Sequence, residues 1–272
     1  MGSGADRKSG RIAASGRTLK EHLGIIESLK SDPVGSRKVT LDFESGDFRG
    51  WSVRRLARPD SALIQSDVVR TGSRACRFEI RPGDYVSQGV RAELRDWYNA
   101  PFENPTWYGF STYLPNDFRP PAGVGVVLAQ WHDQAELGDL SGKPPLALRY
   151  FDGTLRFTGA FSKVASPDPD ERYVFHEIPE VAHDRWMDFV FRIHWSREQE
   201  STIDAWLDGA PLFSFAGPLG YRNQAKGPYF KFGVYASGEI SGPLAVYHDN
   251  YSRGDDYAEV DPAVAHAGPN GQ

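Results

Sequence analysis

The chain has little with which to cross-link or chelate. Of its 272 residues one is a cysteine, Cys76, which excludes an internal disulfide, and no Cys/His spacing of the zinc type occurs. Cys76 sits in "ACRFEI" beside Phe78 and Ile80 and reads as core. No apolar run reaches the ~20 residues that a transmembrane helix needs. The opening "MGSGADRKSG" has no apolar stretch of the signal-peptide kind. Positive charge is not in excess: 31 Lys+Arg against 36 Asp+Glu leave a net of −5. That argues against a nucleic-acid binder, and any polyanion would have to be met by a local cluster of cations. Helical periodicity is scarce too. Only "RTLKEHLGIIESLKSDP" carries it, with Leu19, Leu23, Ile26 and Leu29 on one face and Pro33 as its stop.

What fills the rest of the chain is short alternation punctuated by Gly, Pro, Asn and Asp. "VTLDFE", "ALIQSDVV", "ACRFEI", "VRAELR", "WYGFSTYL", "GVVLAQWH", "LALRYF", "TLRFTGAF", "WMDFVFRIHWS", "TIDAWLDG", "YFKFGVYA" and "AVYHDNYS" read as about a dozen strands. This is the pattern of an all-β sandwich or jelly roll. "WLDGAPLFSF" reads as a hairpin turning at Asp208-Gly209. The expected organisation is a disordered or vector-derived tail over 1–16, the helix and a linker over 17–38, one β domain over 39–260 and a disordered tail over 261–272. "DQAELGDLSGKPP" and "SKVASPDPDERY" are polar loops placed to overhang a groove.

Three strands spend a whole face on polar groups. In "YFKFGVYA" the side chains of Phe230, Phe232 and Val234 form a core face, while Tyr229, Lys231, Gly233 and Tyr235 share the other. "RAELR" puts Arg91, Glu93 and Arg95 on one face, and "AQWHD" puts Gln130 and His132 on one, with Trp131 opposite. Any one of these is usually a solvated strand face. Side by side on one sheet they would floor a groove, with Gly233 leaving room for a ligand.

Together the motifs resemble the signature strands of the jelly-roll polysaccharide lyases. The alginate lyases of that class show R-[ST]-E-L-R, Q-[IV]-H and Y-F-K-A-G-x-Y in this order. The heparin lyase I and glucuronan lyase branch is closer, since "QWH", "WMDFV" and the late "DN" of "YHDNYSRG" also recur there. The likeness runs from about Thr40 to Gly254. Ala92 replaces the hydroxyl residue of the alginate motif and Ser237 the amide after its last tyrosine, which argues against alginate itself. The resemblance implies a concanavalin A-like β-jelly roll and β-elimination on an acidic, uronate-containing polysaccharide. It also implies extracellular or periplasmic action, with neither nucleic acid nor membrane as partner.

The residues make physical sense of that chemistry. Removing the C5 proton drives a second negative charge toward the uronate carboxylate, so fixed donors must neutralise it. Gln130 and Arg91 are the candidates. Tyr235 is the candidate acid and, for one C5 configuration, base, with Lys231 placed to lower its pKa. His132 suits the base role for the other configuration, or assists neutralisation. Glu93 would orient Arg91 or Arg95. Substrate contacts are expected from Arg95, Tyr229, Arg149 and Trp97, with Trp107 as a second stacking platform. No cofactor is required. A structural calcium ion held by Asp42, Glu44 and Asp249 is weighed against the plainer reading that these acids cap turns. Two rivals share the fold. A glycoside hydrolase needs two carboxylates astride the bond and finds no matching strand here; a lectin would not require Gln130, His132, Lys231 and Tyr235 to converge.

Overall fold

A computed structural model describes residues 36–87, 89–134, 143–162, 171–198, 200–221 and 224–264. The tail over 1–16, the helix carrying Leu19 to Leu29, most of both polar loops and the end of the chain from residue 265 lie outside them. Residues 261–264 continue as turns, and Asn250 Nδ2 donates to the carbonyl of Pro262.

Alternation resolves into strands throughout. In chain order they are β1 (Val39–Leu41), β2 (Trp51–Leu56), β3 (Ala62–Gln65), β4 (Ala75–Ile80), β5 (Tyr85–Val86), β6 (Gly89–Asn99), β7 (Thr106–Tyr113), β8 (Val126–His132) and β9 (Leu146–Phe151). There follow β10 (Thr154–Ser162), β11 (Glu171–Ile178), β12 (Trp186–His194), β13 (Ser201–Leu207), β14 (Ala210–Gly217), β15 (Gly220–Tyr221), β16 (Tyr229–Ala236) and β17 (Leu244–Gly254). One sheet runs β14-β13-β12-β7-β17-β4-β3, with β1 added against β17. The other runs β11-β10-β9-β8-β16-β6-β2, with β15 against β10 and β5 against β6. The result is the expected two-sheet, all-β sandwich. Asp208 and Gly209 both take positive φ, 50° and 78°, at the predicted β13–β14 hairpin.

Four strands went unread in the sequence, β2, β11 and the two-residue β5 and β15. β2 is masked by its paired arginines. β11 carries His176, which stacks on Phe213 at 4.9 Å.

The core lies between the sheets and is heavily aromatic. Phe230 stacks on Tyr251 at 4.7 Å and meets Trp131 at 5.1 Å, while Phe232 stacks on Trp51 at 4.8 Å. Trp131 and Cys76 are fully buried, as expected. Each ring removed from water contributes roughly 2 kcal/mol.

Polar struts cross this core from β17. Asp96 of β6 accepts from Tyr251 Oη at 2.6 Å and from Arg253 Nε at 2.8 Å, all three buried. His248 Nε2 meets the carbonyl of Gly233 in β16 at 3.0 Å, its Nδ1 meets Thr112 Oγ1, and Phe78 and Phe232 cover the ring. Burial drives the His248 pKa down to about 4, against the smaller opposing effect of the Gly233 bond. The unfolded chain takes up this proton near pH 6.5, so between 6.5 and 4 the unfolded state holds more protons and stability falls as pH falls. The loss across the window is about 3 kcal/mol. His248→Gln, which keeps a donor for Gly233, should flatten that part of the curve in urea unfolding at pH 7, 5.5 and 4.5. Parallel curves for variant and parent would rule His248 out as the origin.

Candidate active site

β16 lies between β6 and β8, so the three polar faces fuse into one. Tyr235 stands opposite Arg91, Gly233 opposite Glu93 and Lys231 opposite Arg95 on one side. On the other, Lys231 stands opposite Gln130 and Tyr229 opposite His132. Directly opposed residues share a face and sit within contact distance. The face is not a solvated one: Lys231 is 0% exposed, and Glu93 and Gln130 are 2% exposed. Burying this much charge without pairing would be prohibitive, so the pairing defines the site.

Glu93 is its hub. One carboxylate oxygen accepts from Arg91 Nη1 at 3.1 Å and from Lys231 Nζ at 3.3 Å, and the other accepts from the amide of Gln130. Burial pushes the Glu93 carboxyl up, but Lys231, Arg91 and the Gln130 bond outweigh it and leave it below its ordinary value. Lys231 is driven down to about 8, by burial first and by Arg55 and Arg91 in addition, with Glu93 opposing. Glu93 therefore organises Arg91, Lys231 and Gln130 rather than Arg95. Gln130 keeps its second amide hydrogen. Arg55, missed in the sequence, stands opposite Glu93 on β2. Four cations thus share a face whose central carboxylate is Glu93.

At one end of the site is Tyr235. The cation against it is Arg91, whose guanidinium carbon lies 3.8 Å from the ring centre, whereas Lys231 is turned to Glu93. The expected Lys231–Tyr235 partnership is replaced by Arg91–Tyr235, because strand register sets Arg91 directly opposite. Gly233 does not make space for a ligand. Its φ is +140°, and a Cβ there would stand 2.1 Å from the carbonyl oxygen of Ala92. The glycine is required by the neighbouring backbone, where the register against β8 shifts between Phe232 and Tyr235.

The glycine that does serve the site is Gly89. A Cβ on it would lie 2.5 Å from Cε2 of Tyr235 and 3.0 Å from Arg91 Nη2. Gly89→Ala should displace the phenol and lower kcat by roughly 10–100-fold. Thermal unfolding should change little, since the backbone at 89 lies outside the left-handed region. An unchanged kcat would mean that Gly89 does not seat the ring.

At the other end, His132 Nδ1 lies 2.7 Å from the Asp133 carboxylate and 3.1 Å from the Asp133 carbonyl. Both are acceptors, so Nδ1 carries the hydrogen and Nε2 of the neutral ring keeps its lone pair. Asp133 is buried and accepts in turn from Gln224 Nε2 at 3.0 Å. It follows the Q-W-H motif directly, and that adjacency was the signal. His132 stacks on Tyr229 at 5.7 Å, and Arg95 lies 3.6 Å over the Tyr229 ring while donating to Gln134. Burial raises the Tyr229 phenol despite Arg95 and Arg55, so it stays protonated.

Arg149 and Trp97 extend the same face. Arg149 stands opposite Val127 on β9, with Nε on Thr158, and Trp97 is 40% exposed on β6 beyond Arg95. Trp107 belongs to the opposite sheet, stacked on Trp206 at 5.4 Å, and cannot reach the groove. Among the described residues no three His, Cys, Asp or Glu side chains are grouped to hold a metal ion. β1 does pair with β17, but the acids there bind turns. Glu44 accepts from Ser73 and Arg74, Asp249 from the amides of Arg70 and Asn250, and Asp42 from the amide of Glu44.

The model of the family described as "Polysaccharide lyase" matches residues 43–252. No curated protein matches the sequence. Among solved structures, an endo-β-1,4-glucuronan lyase from the fungus Trichoderma reesei superposes with a TM-score of 0.69 at 20% identity, over 84% of this chain and 99% of that one. An alginate lyase gives 0.54 at 15% identity, over 73% and 85%. The catalytic domain of a family 131 glycoside hydrolase from Coprinopsis cinerea gives 0.55 at 14%, over 78% and 84%. At these identities the likeness is one of fold, shared by lyases and a hydrolase alike.

Proposed function

The chain belongs to the polysaccharide lyase family, and from that premise we propose that it cleaves a glucuronate-containing acidic polysaccharide by β-elimination, leaving a 4,5-unsaturated uronate end. The observation that carries this is the Arg91 guanidinium lying at once against the Tyr235 phenol and the Glu93 carboxylate. A uronate carboxylate docked there meets Arg91 and the free amide hydrogen of Gln130, which stabilise the charge that develops as C5 loses its proton. The Tyr235 phenol, held against the Arg91 guanidinium, protonates the leaving O4. His132, its Nδ1 hydrogen held by Asp133, offers Nε2 as base from the other end of the site; Tyr235 takes both roles where the C5 proton faces it. Arg55, Arg95 and Lys231 supply the local positive field that a protein of net charge −5 needs to attract a polyanion.

Hydrolysis finds no support in the same residues. It requires a free acid and a free base or nucleophile, both carboxylic and ~5–9.5 Å apart. Glu93 is tied to three donors, and Asp133 to His132 and Gln224. An acidic polysaccharide substrate also favours extracellular or periplasmic action.

The test is ultraviolet absorbance during incubation with glucuronan, heparin, heparan sulfate, hyaluronan, alginate and acidic bacterial exopolysaccharides. Elimination creates an absorbing C4–C5 double bond, which hydrolysis does not. New reducing ends without absorbance on every polymer would overturn the proposal.

A further inference from the structure

Beyond Tyr235 the site continues into a cavity of about 510 Å³, within the usual range for a small-ligand site. Its wall includes Tyr85, Gly89, Val90, Tyr235, Glu239 and Ile240. The chemistry of this wall is opposite to that of the groove on the far side of Tyr235. There Arg55, Arg95, Lys231 and Arg91 cluster around Glu93. Here the described lining residues include no lysine or arginine, and besides the two phenols the one ionisable group among them is the Glu239 carboxylate. Arg91 is not among the lining residues; it lies against the Tyr235 ring and Glu93, where it serves the uronate of the adjoining groove.

Tyr85 stands at this wall 68% exposed, the most exposed large hydrophobic side chain among the described residues. A flat ring and a carboxylate lining one cavity offer a pyranose what it needs, an apolar surface for its C–H face and an acceptor for its hydroxyls. A uronate entering the cavity would surrender hydration of its carboxylate beside Glu239 with no cation in return, which is unfavourable on both counts.

We propose that this cavity is a subsite for an uncharged sugar, so that the preferred polymer carries a neutral residue next to the uronate that is cleaved. The inference rests on the lyase reading of the adjoining groove for its place along the polymer. Stacking on Tyr85 and hydrogen bonding to Glu239 hold the neutral sugar, and Glu239 repels a uronate from the same position.

The test uses glucuronan and the same glucuronan partly carboxyl-reduced, in which some glucuronate residues become glucose while linkage and stereochemistry stay the same. The wild type should cleave the partly reduced polymer with kcat/KM roughly tenfold higher, and mass spectrometry should find glucose enriched beside the newly formed ends. Glu239→Lys should reverse the preference, and Tyr85→Ala should bring the ratio of the two rates toward one; both positions are exposed, so neither change threatens folding. A wild-type preference for uronate on that side, or variants that leave the ratio untouched, would overturn the subsite. If neither polymer gives absorbance, glucuronan is excluded as the substrate while the rest of the panel judges the lyase reading, and calorimetry with a cello-oligosaccharide still decides the cavity. Binding by the wild type that is weakened in Tyr85→Ala supports it, and absence of binding, or equal binding by both proteins, refutes it.

Discussion

Tyr235→Phe should abolish turnover while leaving the polysaccharide bound. The substitution keeps the ring under the Arg91 guanidinium, keeps the space that Gly89 provides and deletes only the hydroxyl. If that hydroxyl protonates O4, or both removes and returns a proton, its loss costs about 10²–10⁴-fold in kcat. Affinity should change by less than about threefold, because Arg91, Gln130, Arg95 and Arg55 supply the charge recognition. The absorbance assay gives the rate and calorimetry on the inactive variant gives the affinity. Activity within tenfold of wild type would remove Tyr235 from the chemistry. A loss of both rate and binding would recast it as a substrate contact.

Glu93→Gln should be the most destabilising conservative change in the site. The carboxylate it replaces is the counter-charge for two buried cations, and breaking a buried pair by removing one partner costs about 3–5 kcal/mol. Arg91 and Lys231 would be left facing each other and Arg55, with an amide between them. For a domain of this size that loss lowers Tm by roughly 6–20 °C. The deficit should depend on pH in a definite direction. Lys231 already has its folded value depressed to about 8, and without Glu93 it falls further, so the variant sheds this proton at lower pH than the wild type. The variant therefore recovers part of its deficit as pH rises from 6 to 9. Urea unfolding of both proteins at several pH values measures this. A deficit under 1 kcal/mol would mean that the three donors find other partners.

How far the site could be read from the sequence follows from what a strand encodes locally. A two-residue period tells which face each side chain takes, and it placed Arg91, Glu93, Arg95, Gln130, His132, Lys231 and Tyr235 together on one face. It does not tell which residue stands opposite which. Register across strands more than ninety residues apart depends on the bulge between Phe232 and Tyr235, so Lys231 looked like Tyr235's cation when Arg91 holds that place. Alternation is equally silent about depth. The polar face reads as wet, yet its centre is sealed, because Glu93 satisfies three donors at once. Trp107 was misplaced because nearness in sequence says nothing about which of two sheets a strand joins. Arg55 was missed because paired arginines hide the alternation of β2. The acids near β1 and β17 are neighbours as expected, but the amides of the adjoining turns had already claimed their oxygens.

The position of β16 has a kinetic consequence. Its two neighbours, β6 and β8, are fixed in the first half of the chain, and the strand that joins them comes after residue 228. Until it inserts, Arg91 and Gln130 have no common partner strand, Glu93 lacks its ammonium, and the core lacks Phe230 and Phe232. Loop closure of that length is slow and must precede the contacts that reward it. A ribosome-bound or truncated chain ending before Tyr229 holds no partial catalyst. During refolding, activity should return in step with the near-ultraviolet signal of the packed aromatic core. Conversely, a peptide spanning β16 and β17 is the natural complementing fragment for a chain cut at the preceding turn.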